Sequence, residues 1–362
     1  MRRMMLLMGV LVVVAGAGIA VLGASGSEQQ SGSRAAKACA ARWHVVARRG
    51  VPALEAVAAL GSTNVWAVGS GNNRPVIVHW NGTKLTTQTF PWKGGSFSGV
   101  TARSGNDVWA VGGTDHELLA VHFDGHSWQR VQLPRVKGAS LADVTAVAAN
   151  DVWAVGSVAG DPGPRAVVMH WDGRLWRVVD LRGAAPRSEL VSIDSVSADD
   201  VWAFGYAGPW NYGYGYSPIV LRWNGSRWTR VLFSKGEYKD WAYGALDIAP
   251  SGEVWMGVGE QSDAGGSPPV FVRWSGPTHK ARRSYDVPIQ GPNVLDIAAV
   301  SRDEVWAVGF TPAISHLDAK SKSWQAEPHP ASPKDAALNA ISAIAPTDIW
   351  AVGDHLIVRY SC

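Results

Sequence analysis

Short apolar runs recur along this chain, as in Leu141–Val147 and Leu295–Val300. A short apolar run bounded by turn residues is the pattern of a β-strand. The runs are separated by clusters of Gly, Asn, Asp and Ser, the residues that turns require. The pattern therefore predicts many short strands joined by tight turns.

One phrase recurs among these strands. It reads Asn64–Gly69, Asp107–Gly112, Asp151–Gly156, Asp200–Gly205, Glu304–Gly309 and Asp348–Gly353, with a looser copy from Glu253 to Gly259. Its consensus is Asp-Val-Trp-Ala-Val-Gly, and its tryptophans stand 43, 44, 49, 53, 51 and 44 residues apart. A strand-rich repeat of that length is a propeller blade, and the copies predict an all-β, seven-bladed β-propeller. Each repeat carries four strand signals. An apolar inner strand comes first, then the Trp phrase, then a third strand such as Val76–Trp80, Val167–Trp171 or Ile219–Trp223. A fourth strand, marked by Trp128, Trp176, Trp228 or Trp324, completes four antiparallel strands per blade. The third and fourth are joined at Asn81-Gly82, Asp124-Gly125, Asp172-Gly173 and Asn224-Gly225, read here as two-residue hairpins.

The last repeat suggests a register. With a minimal turn at Gly353-Asp354, Asp348 falls opposite Arg359. The same positions elsewhere hold Asn64 with His79, Asp107 with His122, Asp151 with His170, Asp200 with Arg222, Glu253 with Arg273 and Glu304 with His316. These are read as structural ties between the second and third strands rather than metal ligands, because blades that fan apart cannot bring their histidines together. The repeat tryptophans are read as core, each lying against the small Ala and Gly face of a neighbouring blade. The inner strands also carry Glu55, Asp143, Asp194, Asp247, Asp296 and Asn339, which are candidates to line a central channel as solvated or turn-bonded groups.

The seventh repeat lacks a fourth strand. Arg42–Val46 matches Ser127–Val131, so an N-terminal strand is expected to complete the last blade and close the ring. That alignment places Cys39 and Cys362, the two cysteines of the chain, where other blades have their covalent turn. A Cys39–Cys362 disulfide is expected there.

Residues 1–26 read as a signal peptide or an N-terminal anchor: Arg2 and Arg3 precede an apolar run, Met4–Gly23, followed by small residues. The run is also long enough to span a bilayer, so a secreted protein and a membrane-anchored one facing outside are both expected forms. Residues 27–38 read as a flexible linker and 39–362 as one propeller. The net charge is +3, or +1 without Arg2 and Arg3, which excludes an electrostatic partnership with nucleic acid.

Loop variation on a constant scaffold points to blade four and its connection to blade five. Trp210, Asn211, Tyr212, Tyr214 and Tyr216 crowd one loop, Tyr238, Asp240 and Trp241 the next, and Glu260 follows. Aromatic faces stack on sugars or proline-rich peptides, and the polar groups fix orientation. Trp92 and Lys93, in the loop leading into blade two, border the same face. No phosphate cradle, nucleophile elbow, zinc-ligand pair or calcium loop occurs, so no cofactor and no metal is expected. Sialidase boxes and the kelch Gly-Gly pair are also missing, and a Trp-Asp pair occurs once, at Trp171-Asp172.

The Asp-Val-Trp-Ala-Val-Gly units over residues 39–362 resemble those of exported bacterial β-propeller repeat proteins. The resemblance implies the fold and carries no catalytic residues. Two functions remain open. One is a non-enzymatic, monomeric exported protein that binds a glycan or a protein on one propeller face. The other is a carbohydrate-active hydrolase or lyase using carboxylates such as Glu237, Asp240, Glu260 or Asp263.

Overall fold

A computed structural model describes residues 40–161, 163–208, 217–231, 241–260, 269–275, 280–284, 294–309, 314–328 and 337–362, without the side chains of 241–242, 260 and 280–284. These residues form seven four-stranded antiparallel sheets and no helix. Inner strands run Ala53–Gly61, Gly95–Ser104, Ala139–Ala148, Ser188–Ser197, Trp241–Ile248, Val294–Ser301 and Leu338–Ala345. Each packs on the next, blade seven on blade one included, so the sheets form a closed ring. The seven-bladed propeller read from the repeats is the fold.

Six blades are built from consecutive strands. In the seventh, Arg42–Ala47 pairs with Leu356–Ser361, with Trp43 opposite Tyr360 and Arg42 opposite Ser361. Phe123 and Trp128 stand opposite each other in the same way in blade two. The N-terminal strand thus closes the ring as its sequence match requires. Cys39, the expected partner of Cys362, lies outside the described residues.

The second and third strands pair two residues away from the predicted register. The turn of the last repeat falls at Asp354-His355, with His355 at φ +61°, and Gly353 lies opposite Leu356. A shift of two keeps every side chain on its expected face. It moves each His or Arg from opposite the acid to opposite the tryptophan: Trp66 with His79, Trp109 with His122, Trp153 with His170, Trp202 with Arg222, Trp306 with His316 and Trp350 with Arg359. The ring then stacks on the indole. His79 lies 3.8 Å from Trp66 and His316 3.9 Å from Trp306, centroid to centroid. The acid two residues before the Trp takes the hydrogen bond diagonally. His122 Nε2 is 2.8 Å from Asp107 Oδ1, His170 Nε2 2.7 Å from Asp151 Oδ1, and Arg359 Nε 2.7 Å from Asp348 Oδ1.

Blade five departs from this. Its turn carries Pro250–Glu253 before the second strand begins at Val254, so Glu253 sits in the turn. Arg273 still covers Trp255, at 5.4 Å, but donates to Asp303 Oδ1 of blade six at 2.9 Å. The predicted Glu253–Arg273 tie is replaced by one between blades.

Each repeat tryptophan is buried against the next blade. Trp66 meets Phe123 and Trp128 at 5.2 and 5.6 Å, Trp109 meets Trp171 and Trp176, and Trp306 meets Trp43 and Tyr360. The closing glycine of the phrase has its own cause. A Cβ on Gly69, Gly112, Gly156 or Gly205 would collide with a carbonyl oxygen of the inner strand, and one on Gly353 with that of Ala337 just before it. In those blades a β-bulge follows at the residue paired with that glycine, as between Leu141 and Asp143. In blade five Val258 holds the glycine's place, and the bulge lies farther along, between Trp241 and Tyr243.

The Asn-Gly and Asp-Gly turns between third and fourth strands are four-residue loops, not two-residue hairpins. Trp80 pairs with Leu85, and only the Gly of each Asn-Gly or Asp-Gly has positive φ, +94° at Gly82. The preceding Asn or Asp caps two amides of the loop: Asn81 Oδ1 accepts from Thr83 and Lys84, and Asp124 Oδ1 from His126 and Ser127. That capping removes the need for a second positive φ.

Candidate functional site

The inner strands line a central channel of about 460 Å³. The expected acids are there, with a role beyond local turn bonds. Asp143 Oδ2 accepts the Ile193 amide of the next blade at 2.9 Å, Asp194 Oδ2 that of Ile248 at 3.0 Å, Asp247 Oδ2 that of Ala299 at 2.6 Å, and Asp296 Oδ2 that of Ile341 at 2.9 Å. Asn339 donates to Leu54 O at 2.9 Å, which carries the series from blade seven to blade one. Blade two has Gly99 at the place of Asp143, and a Cβ there would lie 2.6 Å from the Asp143 Cα. Close backbone approach replaces the tie at that junction.

These carboxylates are hard to ionise. Loss of water around the carboxyl pushes Asp143 up to about 8 and Asp296 up to about 7, against the pull of the amides they accept. Both residues are only half-buried as a whole, because one edge faces the channel. Asp194 and Asp247 are raised by the same desolvation, Asp247 also by the neighbouring charge of Asp194. Glu55 is raised by burial and by the nearby Asp354. With each aspartate committed to a neighbour's backbone, the channel is a set of ties rather than a ligand set. Among the described residues no group of three or more His, Cys, Asp or Glu is placed to hold a metal ion.

The aromatic loops of blades four and five lie largely outside the described residues: Trp210, Asn211, Tyr212, Tyr214, Tyr216, Glu237, Tyr238, Asp240 and Asp263 all do. Trp241 and Glu260 are described by backbone alone and stand opposite each other across the displaced bulge. Tyr243, two residues on, is half-buried.

The described part of the loop face holds a cleft of about 780 Å³ between blades two and three. Three connections build it. Trp92 and Lys93 lead into blade two, Thr114–Leu118 joins its second and third strands, and Gln132–Lys137 leads on to blade three. The first connection is stiffened by aromatic stacking. Trp92 lies parallel to Phe90 at 5.3 Å, and Phe90 meets buried Phe97 edge-on at 5.3 Å. The second is a hydroxyl-capped turn, with Thr114 Oγ1 accepting the amides of His116 and Glu117. Arg130 joins the first two: its guanidinium stands 5.1 Å over the Trp92 ring and donates to Glu117 Oε2 at 2.7 Å. Leu133 is buried and Val136 packs on the blade-three core, so the floor is apolar. Lys93, His116, Arg135 and Lys137 are exposed at the walls. Of these residues the sequence singled out only Trp92 and Lys93. The other cations come from separate loops, and no linear motif joins them.

No protein-family model and no curated protein matches this chain. Among solved structures it is similar to YCF48 bound to D1 peptide, at TM-score 0.60 and 15% identity over 88% of this chain and 97% of that one. It is similar to YCF48 from Cyanidioschyzon merolae, at 0.60 and 15% over 88% and 99%. U3-55K is a third, at 0.60 and 12% over 89% and 98%. At such identities the likeness speaks to the fold alone.

Proposed function

We propose that this chain is a non-enzymatic binding protein that holds a protein ligand on the loop face of its propeller. The observation that carries this reading is the cleft between blades two and three. Its apolar floor, aromatic wall and exposed cations have the make-up of a recognition surface. YCF48, of similar fold, has a structure with a D1 peptide bound, which supports a propeller of this size in that role. The described carboxylates do not favour catalysis, since those of the channel are tied to backbone amides.

The aromatic residues Trp210, Tyr212, Tyr214, Tyr216, Tyr238 and Trp241 belong to the same reading as a second part of the face, open to a protein or a glycan. Export by residues 1–26, with the propeller outside the cell as a monomer and a Cys39–Cys362 disulfide across the ring closure, completes it.

The test exposes the purified chain to peptide and glycan arrays, with Trp210→Ala/Trp241→Ala alongside and product analysis of any bound glycan. Peptide binding with no turnover supports the reading. Binding of glycans alone, or any cleavage of them, overturns it.

A further inference from the structure

We propose that the cleft between blades two and three is a docking site for an acidic segment of a partner polypeptide. This rests on the interaction reading and gives it a ligand chemistry.

Charge is the first observation. Four fixed cations, Lys93, Arg130, Arg135 and Lys137, surround the cleft, and His116 adds a fifth basic group. Two carboxylates stand near them. Glu117 is taken up by Arg130 at 2.7 Å, and Asp115 lies beside Gly94 at the rim. Lys93, Arg135 and Lys137 are left with no carboxylate within ion-pair distance among the described residues. Three such cations around one concavity, on a chain of net charge only +3, make a local positive field at this cleft.

Shape is the second. The cleft is deep enough, at about 780 Å³, to take several side chains and has an apolar floor at Leu133 and Pro134. An acidic peptide with interspersed apolar residues meets both surfaces, with the apolar groups going down and the carboxylates out to the walls. Arg135 can grip a carboxylate with two parallel bonds.

Other ligand classes fit less well. A nucleic acid needs a basic track along many phosphates, whereas these cations end at the rim of one cleft. A sugar needs a free aromatic face, and the Trp92 ring is already engaged by Phe90 and by Arg130.

The test is fluorescence anisotropy on the purified full chain with labelled synthetic peptides of one length. One set is rich in Asp and Glu with interspersed Leu, one uncharged, one rich in Lys and Arg. The variant Arg135→Glu/Lys137→Glu alters two exposed side chains, and Lys84→Glu, on a turn between third and fourth strands, serves as the control. The expected result is selective binding of the acidic set, weakened by salt, at least tenfold weaker in the double variant and unchanged in Lys84→Glu. Acidic binding that the double variant leaves intact overturns the proposal, as does equal binding of a heparin fragment or an oligonucleotide. If only uncharged or basic peptides bind, this proposal falls and the interaction reading stands. If no peptide binds, both fall.

Discussion

Asp143 of blade three accepts the backbone N–H of Ile193 in blade four at 2.9 Å. A carboxylate that joins two blades must be dehydrated to do so, and that links the ring to pH. The native carboxyls of Asp143 and Asp296 titrate at about 8 and about 7, against about 4 in an unfolded chain. Between those limits the native state binds more protons than the unfolded one, so stability falls as pH rises from about 4 to about 8. The urea midpoint is expected to be higher near pH 5 than near pH 8. Asp143→Asn/Asp296→Asn, which cannot titrate, should flatten that slope. Equal midpoints for the unaltered chain would show that the carboxyls stay in contact with channel water.

The stacks of blade two make a second expectation. Trp109 is fully buried between His122, at 4.3 Å, and the aromatic pair Trp171 and Trp176 of blade three. Trp109→Ala should cost about 3–5 kcal/mol. His122→Ala removes one stack and one bond to Asp107, which keeps Arg103 at 2.8 Å, and should cost about 1–3 kcal/mol. Denaturant unfolding of both variants gives the order, and a His122→Ala loss as large as the Trp loss would contradict it.

Gly156 has no room for a methyl group, because the Ser140 carbonyl occupies the place of its Cβ. Gly156→Ala should destabilise by about 3 kcal/mol or more, at the upper end for overpacking. Gly138, at φ +72° with open space around it, should lose only about 1 kcal/mol on the same change. Thermal unfolding of the pair separates collision from backbone strain.

Oxidised protein purified without reductant should be lighter than the reduced chain by two hydrogens if Cys39 and Cys362 are joined. Cys39→Ser should then lower stability by about 5–6 kcal/mol in the chain-entropy account. Two free thiols by mass would remove the covalent closure and leave the pairing of Trp43 with Tyr360 to act alone.

The architecture was legible because its determinants are local and repeated. The phrase around Trp109 contains the acid, the core indole and the glycine that lets two strands approach, so each copy states the same blade. Ring closure was legible for the same reason, since Trp43 sits in a copy of the Trp128 strand. The register was misread by two because the turn at Asp354-His355 begins one residue later than the glycine suggests. A two-residue slip leaves the faces unchanged, so alternation could not expose it. The ties made by Asp143 and Asp296 were seen as channel residues but not as links, since the amides they accept lie 50 and 45 positions away. The cleft was barely visible. Arg130, Arg135 and Lys137 are ordinary surface residues in sequence, and only the meeting of three loops makes them neighbours.

Blade seven imposes an order in time. Ribosomes make Arg42–Ala47 before any other strand of the propeller, yet its place in a sheet does not exist until Leu356–Ser361 has been made. A growing chain therefore carries an unmatched strand at one end and an unfinished blade at the other. Blades one to six can form in turn from neighbouring segments, but the last step joins the most distant parts of the chain and pays the largest loop entropy. A linear array of repeats can lose a terminal unit and keep the rest. Here the terminal unit belongs to both ends at once, so the seven repeats should live or unfold as one body.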